Sequence, residues 1–277
     1  MSIEVLSQTK DRLRFALREV DVSMANALRR IMLAEVPTWS VETVHFHENS
    51  SIYQNEYLAH RLGLIPLRVT DNSLETATLT LEVRHTEEAE SVTSHDLRCE
   101  TPGVEVVHGS EQGVLLAKLM PEQALKLEAT ICRGTGAEHA KWSPVSVAKF
   151  SYEADITVAP ACAGAAELAE RCPRRVFDVE ESGQLVAARP ADCIFCGECT
   201  NRDAKRLTGG RSITVNPVPR TFIFDVETVG QYDAVEVVDQ ALRILIQKCE
   251  GLAQKVQQLP SPPGTPPGTP MELAYQE

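Results

Sequence analysis

Eight cysteines stand at positions 99, 132, 162, 172, 193, 196, 199 and 249, and five of the eight fall between 162 and 199. The densest chemistry is the run Cys193-Ile194-Phe195-Cys196-Gly197-Glu198-Cys199, a C-x2-C-x2-C pattern. On a tight loop each two-residue spacer returns a sulfur to the same concave face. Three thiolates at this pitch can therefore hold three corners of one iron–sulfur cube, and a fourth must come from elsewhere. Clustered cysteines in a chain of this length with no sign of a secretory route point to metal rather than to a disulfide framework. Cys99, Cys132 and Cys249 stand alone and are expected to be small buried hydrophobes.

In bacterial-type ferredoxins such a run continues through three residues to Cys-Pro, whose cysteine serves the other cluster. Here Asp203 stands at that place, while a Cys-Pro pair lies upstream at Cys172-Pro173. Counting back from Cys172 at ferredoxin spacing gives Leu168, Ala165 and Cys162. One complete set of thiolates results: Cys172, Cys193, Cys196 and Cys199. The other set, Cys162, Ala165, Leu168 and Asp203, contains two side chains that cannot ligate metal. The segment resembles a two-cluster ferredoxin with one site lost. That implies one [4Fe-4S] cluster, with Cys162 an unpaired remnant. Four thiolates also make a tetrahedral zinc site, although zinc usually takes paired C-x2-C knuckles, so one Zn is the alternative and an empty reduced loop the third reading. A single cluster lacks an internal electron relay. A structural role is expected ahead of a redox-active electron-transfer or redox-sensing module.

The elements that must position these groups are legible from patterning. Ile3 and Val5, a TKD turn, then Leu13, Phe15 and Leu17 alternate as a β-hairpin. Asp21-Val22-Ser23 is a capping cluster before a helix over residues 23–36, with Met24, Ala27, Leu28, Ile31 and Glu35 at helical spacing until Pro37. The adjacent Arg29 and Arg30 cannot both lie on its buried stripe. A strand at 41–46 precedes a short helix, QNEYLAHRL, closed by Gly63. From there to about residue 158 the chain reads as antiparallel β-structure, with Ala77, Leu79, Leu81 and Val83 alternating. After the cysteine-rich stretch, TFIFDVET returns to strand. Val235, Val238, Leu242, Leu245, Cys249, Leu252 and Val256 follow at spacings of 3 and 4, an a/d seam that wants another helix or this chain's own sheet against it. The repeat PSPPGTPPGTP at 260–270 holds 6 of the 16 prolines and is expected to be a disordered tail.

Composition excludes several functions. With 27 Lys plus Arg against 39 Asp plus Glu, the net charge of −12 argues against a free-standing nucleic-acid binder, since phosphate contacts need a basic excess. Any service to DNA or RNA should run through partners. No run of about 18 apolar residues suggests a membrane span, and the opening MSIEVLSQTKDRLRF does not read as a signal peptide. A non-secreted chain is expected. No G-x-S-x-G, P-loop or H-E-x-x-H motif points to hydrolysis or phosphoryl transfer. His45 and His47 alternate on a strand and are read as surface residues.

Residues 23–67, SMANALRRIMLAEVPTWSVETVHFHENSSIYQNEYLAHRLGLIPL, closely resemble the signature of the α-like platform subunit of DNA-dependent RNA polymerases. That family includes the archaeal D subunit, the third-largest subunit of eukaryotic RNA polymerase II and the related subunit shared by polymerases I and III. Residues 118–156 are similar to the polymerase II form. Residues 172–199 look like the cluster-bearing segment of archaeal D subunits and of some polymerase I/III homologues, and TFIFDVETVGQYDAVEVVDQALRILIQKCEGL matches the closing strand and helix. The polymerase II form carries a zinc loop in its inserted domain, but residues 70–100 hold only Cys99.

The resemblance implies an α+β chain whose discontinuous α-like dimerisation domain (1–45 and 213–258) encloses an inserted β-rich domain (46–158) and a small ferredoxin-like cluster domain (159–212), with the Pro-rich tail at 259–277. It implies a non-catalytic assembly platform that pairs with a smaller α-like subunit and docks the two large catalytic subunits. The interface would draw on Met24, Leu28 and Ile31 of the first helix and on Val235, Val238, Leu242, Leu245, Cys249 and Leu252 of the last. Arg29, Arg30, Glu35, His60, Arg61 and the Lys141-Trp142 pair lie in motifs associated with holding the large subunits. The compartment would be the nucleus in a eukaryote and the cytoplasm in an archaeon.

Overall fold

A computed structural model describes residues 1–71, 73–84, 89–158, 164–207 and 213–258. Cys162 and the Pro-rich 259–277 lie outside the described residues. The chain opens with β1 (Ser2–Gln8), β2 (Arg12–Arg18), α1 (Val22–Ala34), β3 (Thr38–Asn49), α2 (Asn55–Gly63) and β4 (Leu67–Val69). Then follow β5 (Thr76–Arg84), β6 (Glu90–Thr93), β7 (Arg98–Cys99), β8 (Val104–Val106), β9 (Leu115–Leu119), β10 (Ala124–Gly134) and β11 (Val145–Thr157). The cysteine-rich segment carries α3 (Ala165–Arg171), β12 (Phe177–Val179), β13 (Leu185–Ala187) and α4 (Arg202–Leu207), and β14 (Thr214–Thr228) and α5 (Ala234–Gln257) close the chain. The architecture is mixed α+β. No helix among the described residues is long and apolar enough to cross a membrane.

The first sheet runs β1-β2-β14-β11, antiparallel throughout. Leu13, Phe15 and Leu17 of β2 point to one face, as their alternation requires. Phe15 sits directly opposite Phe224 of β14, and their rings stack with centroids 4.9 Å apart. Over this face lie α1 and α5. Leu28, Ile31 and Met32 of α1 meet Ala234, Val237, Val238 and Ala241 of α5 in one core. Asp21 caps α1 by accepting from the Ser23 N–H at 2.9 Å. The end of α1 is held by the loop after β10: the Ala137 N–H donates to the Ala34 carbonyl at 2.8 Å. A Cβ built on Gly136 would stand 2.2 Å from the Leu33 carbonyl oxygen, so only glycine permits this approach.

A second sheet runs β7-β5-β10-β3-β4-β8. Ala77, Leu79 and Leu81 turn inward, as the alternation predicts, and join Leu58 and Leu62 of α2 and Leu116, Ala117 and Leu119 of β9 in a second core. Sheet membership moves the expected boundaries. β11 falls inside the expected 46–158 insert, yet it pairs along its length with β14 of the first sheet. β3 begins within the expected 1–45 segment, yet pairs with β10 of the second. Strand propensity marks each segment, but only long-range pairing assigns it to a sheet.

A third, smaller core gathers Ala165, Leu168, Val176, Phe177, Leu185, Ala204 and Ile213 around the cysteine segment.

The interface expectations need correcting at three side chains. Leu28, Ile31 and Val238 are only 2%, 3% and 7% exposed inside this chain's own core, so they have no surface left for a partner. The buried stripe of α5 follows Ala234, Val237, Val238 and Ala241 instead of the heptad seam of larger residues. Its two alanines bring α5 close to α1, which a reading weighted toward bulky side chains passes over. Cys249, expected to be buried, is exposed, and Cys99 and Cys132 are only half-buried.

Candidate functional site

Cys172, Cys193, Cys196 and Cys199 line a single recess of about 110 Å³, with Arg174, Val176, Phe177 and the intervening loop residues around it. Two turns bring them there. Cys172 follows α3, and its carbonyl accepts from the Arg175 N–H at 3.0 Å while Arg175 takes a left-handed φ of 49°. Cys193 follows the turn Pro190–Asp192, with its N–H on the Pro190 carbonyl at 3.1 Å. Within the run, Phe195 and Gly197 both adopt positive φ, 54° and 79°, and these two reversals curl the loop around the recess. Gly197 takes that conformation freely; Phe195 does so at a cost of roughly 1–2 kcal/mol. Backbone N–H groups aim at two of the sulfurs, Val176 at Cys172 Sγ (3.4 Å) and Phe195 at Cys193 Sγ (3.5 Å).

Sequence reasoning missed the residue that binds the two turns together. Arg189 donates through Nε to the Arg175 carbonyl at 2.8 Å and pairs with Asp178 at 2.9 Å. Its signal is tertiary, since only the fold makes Arg175 its neighbour.

The electrostatics of the recess favour the neutral thiol at Cys193 and Cys199. Burial pushes the Cys199 thiol up to about 11, and the nearby Cys193, Cys196 and Cys172 push the same way. Burial also raises Cys193, the Phe195 N–H partly opposes it, and Cys196 and Cys172 add to it. Four thiolates crowded together repel one another, and bound metal reverses that balance by favouring the ionised form. The residues thus fit a thiolate-ligated group in their chemistry, and all four line one recess. Among the described residues, no group of three or more His, Cys, Asp or Glu side chains stands closely enough to hold a metal ion as the side chains are placed. The candidate ligand positions that read as lost are now core: Ala165 and Leu168 are 6% and 1% exposed. Asp203 instead faces Arg206 at 3.6 Å.

The expected partner residues divide into an engaged set and an open set. Arg29 is held by Asn26 Oδ1 at 2.9 Å, and Glu35 pairs with Lys248 at 2.5 Å. Lys141 binds the Val41 carbonyl at 3.0 Å and the Glu42 carboxylate, and lies 4.2 Å over the buried Trp142 ring. Arg61 donates to the Leu115 carbonyl and sits over Tyr57, while its Nε is buried without a partner. His60 and Lys141 share a recess of about 180 Å³ with Glu42, Leu64 and His139. Arg30 is exposed.

The open set is apolar. Leu242 and Leu245 are half-buried against the first core, but beyond them α5 carries Ile246, Leu252 and Val256 at 55%, 64% and 55% exposure. Met24 and Val235 are also exposed, as are Ile3 and Val5 on the unpaired edge strand β1. Ile3 and Val5 lie opposite the core residues Leu17 and Phe15, so the same sheet face continues uncovered onto β1.

Residues 14–249 match the family model described as the RNA polymerase Rpb3/Rpb11 dimerisation domain. The chain belongs to this family. It is an α-like RNA polymerase subunit, and its relatives span eukaryotes and archaea. A Dictyostelium discoideum protein named DNA-directed RNA polymerases I and III subunit rpac1 is 34% identical over 93% of this chain and 82% of its own length. An Arabidopsis thaliana protein, DNA-directed RNA polymerases II, IV and V subunit 3, is 32% identical over 90% and 89%. Subunit Rpo3 of the DNA-directed RNA polymerase of Pyrococcus furiosus is 33% identical over 94% and 99%. The family match takes in most of β2, α1, β11, β14 and most of α5, the elements that build the first core.

Proposed function

We propose that this α-like subunit is the non-catalytic assembly platform of a DNA-dependent RNA polymerase, that it pairs with a smaller α-like subunit, and that the pair docks the two large catalytic subunits. The observation that carries the pairing is the outer half of α5, where Ile246, Leu252 and Val256 stand more than half exposed on a helix whose inner half is packed. Exposed apolar area of this kind is stabilised when a partner removes it from water, by about 25 cal/mol per Å². The uncovered face of β1 extends the same surface. DNA and RNA are served through the complex, in keeping with the net charge of −12. The compartment is that of the polymerase, the nucleus in a eukaryote or the cytoplasm in an archaeon.

The second part of the proposal is one structural [4Fe-4S] cluster held by Cys172, Cys193, Cys196 and Cys199. Its support is the convergence of all four thiols on one recess together with N–H groups directed at two sulfurs. When bound, the cluster supplies a cross-link between the Cys172 turn and the Cys193–Cys199 loop, which otherwise rest on a core of few residues. A single zinc would require the four sulfurs to close to about 2.3 Å from one point.

Coexpression with the small α-like subunit tests the pairing. The Leu252→Glu, Val256→Glu double variant should lose the heterodimer while folding as the wild type does; full heterodimer yield would refute the interface. Anaerobic purification tests the cluster, with about four irons per chain expected for a complete cube. A colourless protein carrying one zinc would overturn it.

A further inference from the structure

The geometry points to Arg14 as a positioning residue that latches the cysteine loop onto the first sheet, an inference that rests on the cluster reading above. Leu13, Phe15 and Leu17 of β2 face the first core, so Arg12, Arg14 and Arg18 face the opposite side of the sheet. Arg12 and Arg18 are absorbed by partners within that sheet, Asp225 at 2.7 Å and Glu153 at 2.5 Å. Arg14 alone of the three reaches out of it. Its Nη1 donates to Asp192 Oδ1 at 2.6 Å and its Nη2 to the Ala191 carbonyl at 2.6 Å. Both acceptors belong to the turn immediately before Cys193.

Apolar packing of Ile156 and Val215 joins the sheet to the third core, but it leaves an opening beside Cys193. A cavity of about 150 Å³ lies between the sheet face and the loop, lined by Arg14, Lys149, Arg174, Asp192 and Ile194 among others. The guanidinium spans that gap as a two-pronged charged contact, the form in which arginine fixes direction as well as distance. Arg189 fastens the same turn from the other side, through the Arg175 carbonyl. With both forks in place the backbone leading into Cys193 is fixed at two points, and the first sulfur of the run is aimed by the sheet that also carries the partner surface.

The test uses the full chain with its partner, purified without oxygen, and follows iron release to a ferrous chelator by visible absorption. Arg14→Met and Asp192→Asn should each release iron about tenfold faster, the order expected for one lost charge-assisted hydrogen bond. The double variant should release it no faster than Arg14→Met alone, because Arg14→Met already removes the contact that Asp192→Asn weakens. Arg14→Lys, which keeps the charge without the fork, should fall between. Arg18→Met is the control, since Arg18 and Glu153 are buried to a similar degree as Arg14 and Asp192 yet the pair does not touch the loop. Wild-type release from Arg14→Met, or equal acceleration in Arg18→Met, would overturn the latch. Wild-type protein without iron would defeat the cluster reading instead. The latch would then be judged by hydrogen exchange of amides 191–199, faster in Arg14→Met if it exists and unchanged if it does not.

Discussion

Lys248 of α5 meets Glu35, the residue that ends α1, with Nζ 2.5 Å from the carboxylate. This pair lies just past Leu245, the last residue of α5 packed against the core. Before it, Val237, Val238 and Ala241 are buried; after it, Leu252 and Val256 are mostly exposed.

The two sides of that boundary should respond differently to substitution. The Lys248 and Glu35 side chains are 55% and 32% exposed, so solvent screens the pair and Lys248→Ala should cost less than about 1 kcal/mol. Val237→Ala, at 0% exposure, should cost about 1–3 kcal/mol, because it removes buried methyl groups and leaves a void. Thermal melting of the isolated chain reads both. A Lys248→Ala loss as large as that of Val237→Ala would contradict the boundary.

Acid should weaken the first sheet through Asp225. The Arg12 guanidinium, by hydrogen bond and charge, holds the Asp225 carboxyl below its usual range against the opposing effect of burial, and Lys149 adds to the lowering. A carboxyl whose folded value is depressed contributes stability that is present above its unfolded value, near 4, and is lost as pH falls through the folded value. Melting temperature should therefore drop below about pH 4, and Asp225→Asn should start lower at neutral pH and fall less steeply in acid. Parallel curves for the two proteins would exclude this carboxylate as the source.

The thiols of the metal-free chain should label in a fixed order. Cys196 is exposed, whereas Cys199 is half-buried with its thiol pushed up to about 11. The thiolate is the reactive species, so alkylation near pH 8 should reach Cys196 well before Cys199. Raising the pH toward 11 should close the gap as Cys199 ionises. Peptide mass mapping checks it, and equal rates at pH 8 would show that the recess does not bury Cys199.

Much of the fold was legible in local pattern. The β-hairpin, the α1 cap at Asp21, the alternation of Ala77, Leu79 and Leu81 and the long closing helix all follow from spacing, because each is decided by which residues share a face. That Cys172, Cys193, Cys196 and Cys199 form one group was legible too, from their intervals, and they do line one recess. Other features were not. Strand β11 reads the same whichever sheet it joins, and the buried stripe of α5 runs through two alanines whose value depends on how near α1 comes.

The residues of this chain by themselves determined its family, its element types and the identity of the candidate ligands, because those rest on composition and intervals along the backbone. Only the tertiary structure decided that Leu28, Ile31 and Val238 are spent inside the chain while Leu252 and Val256 stay wet. It also decided that Arg14 reaches Asp192, 178 residues away. Burial and contact between distant residues depend on how sheets and helices close against one another, and a one-dimensional pattern carries no record of that closure.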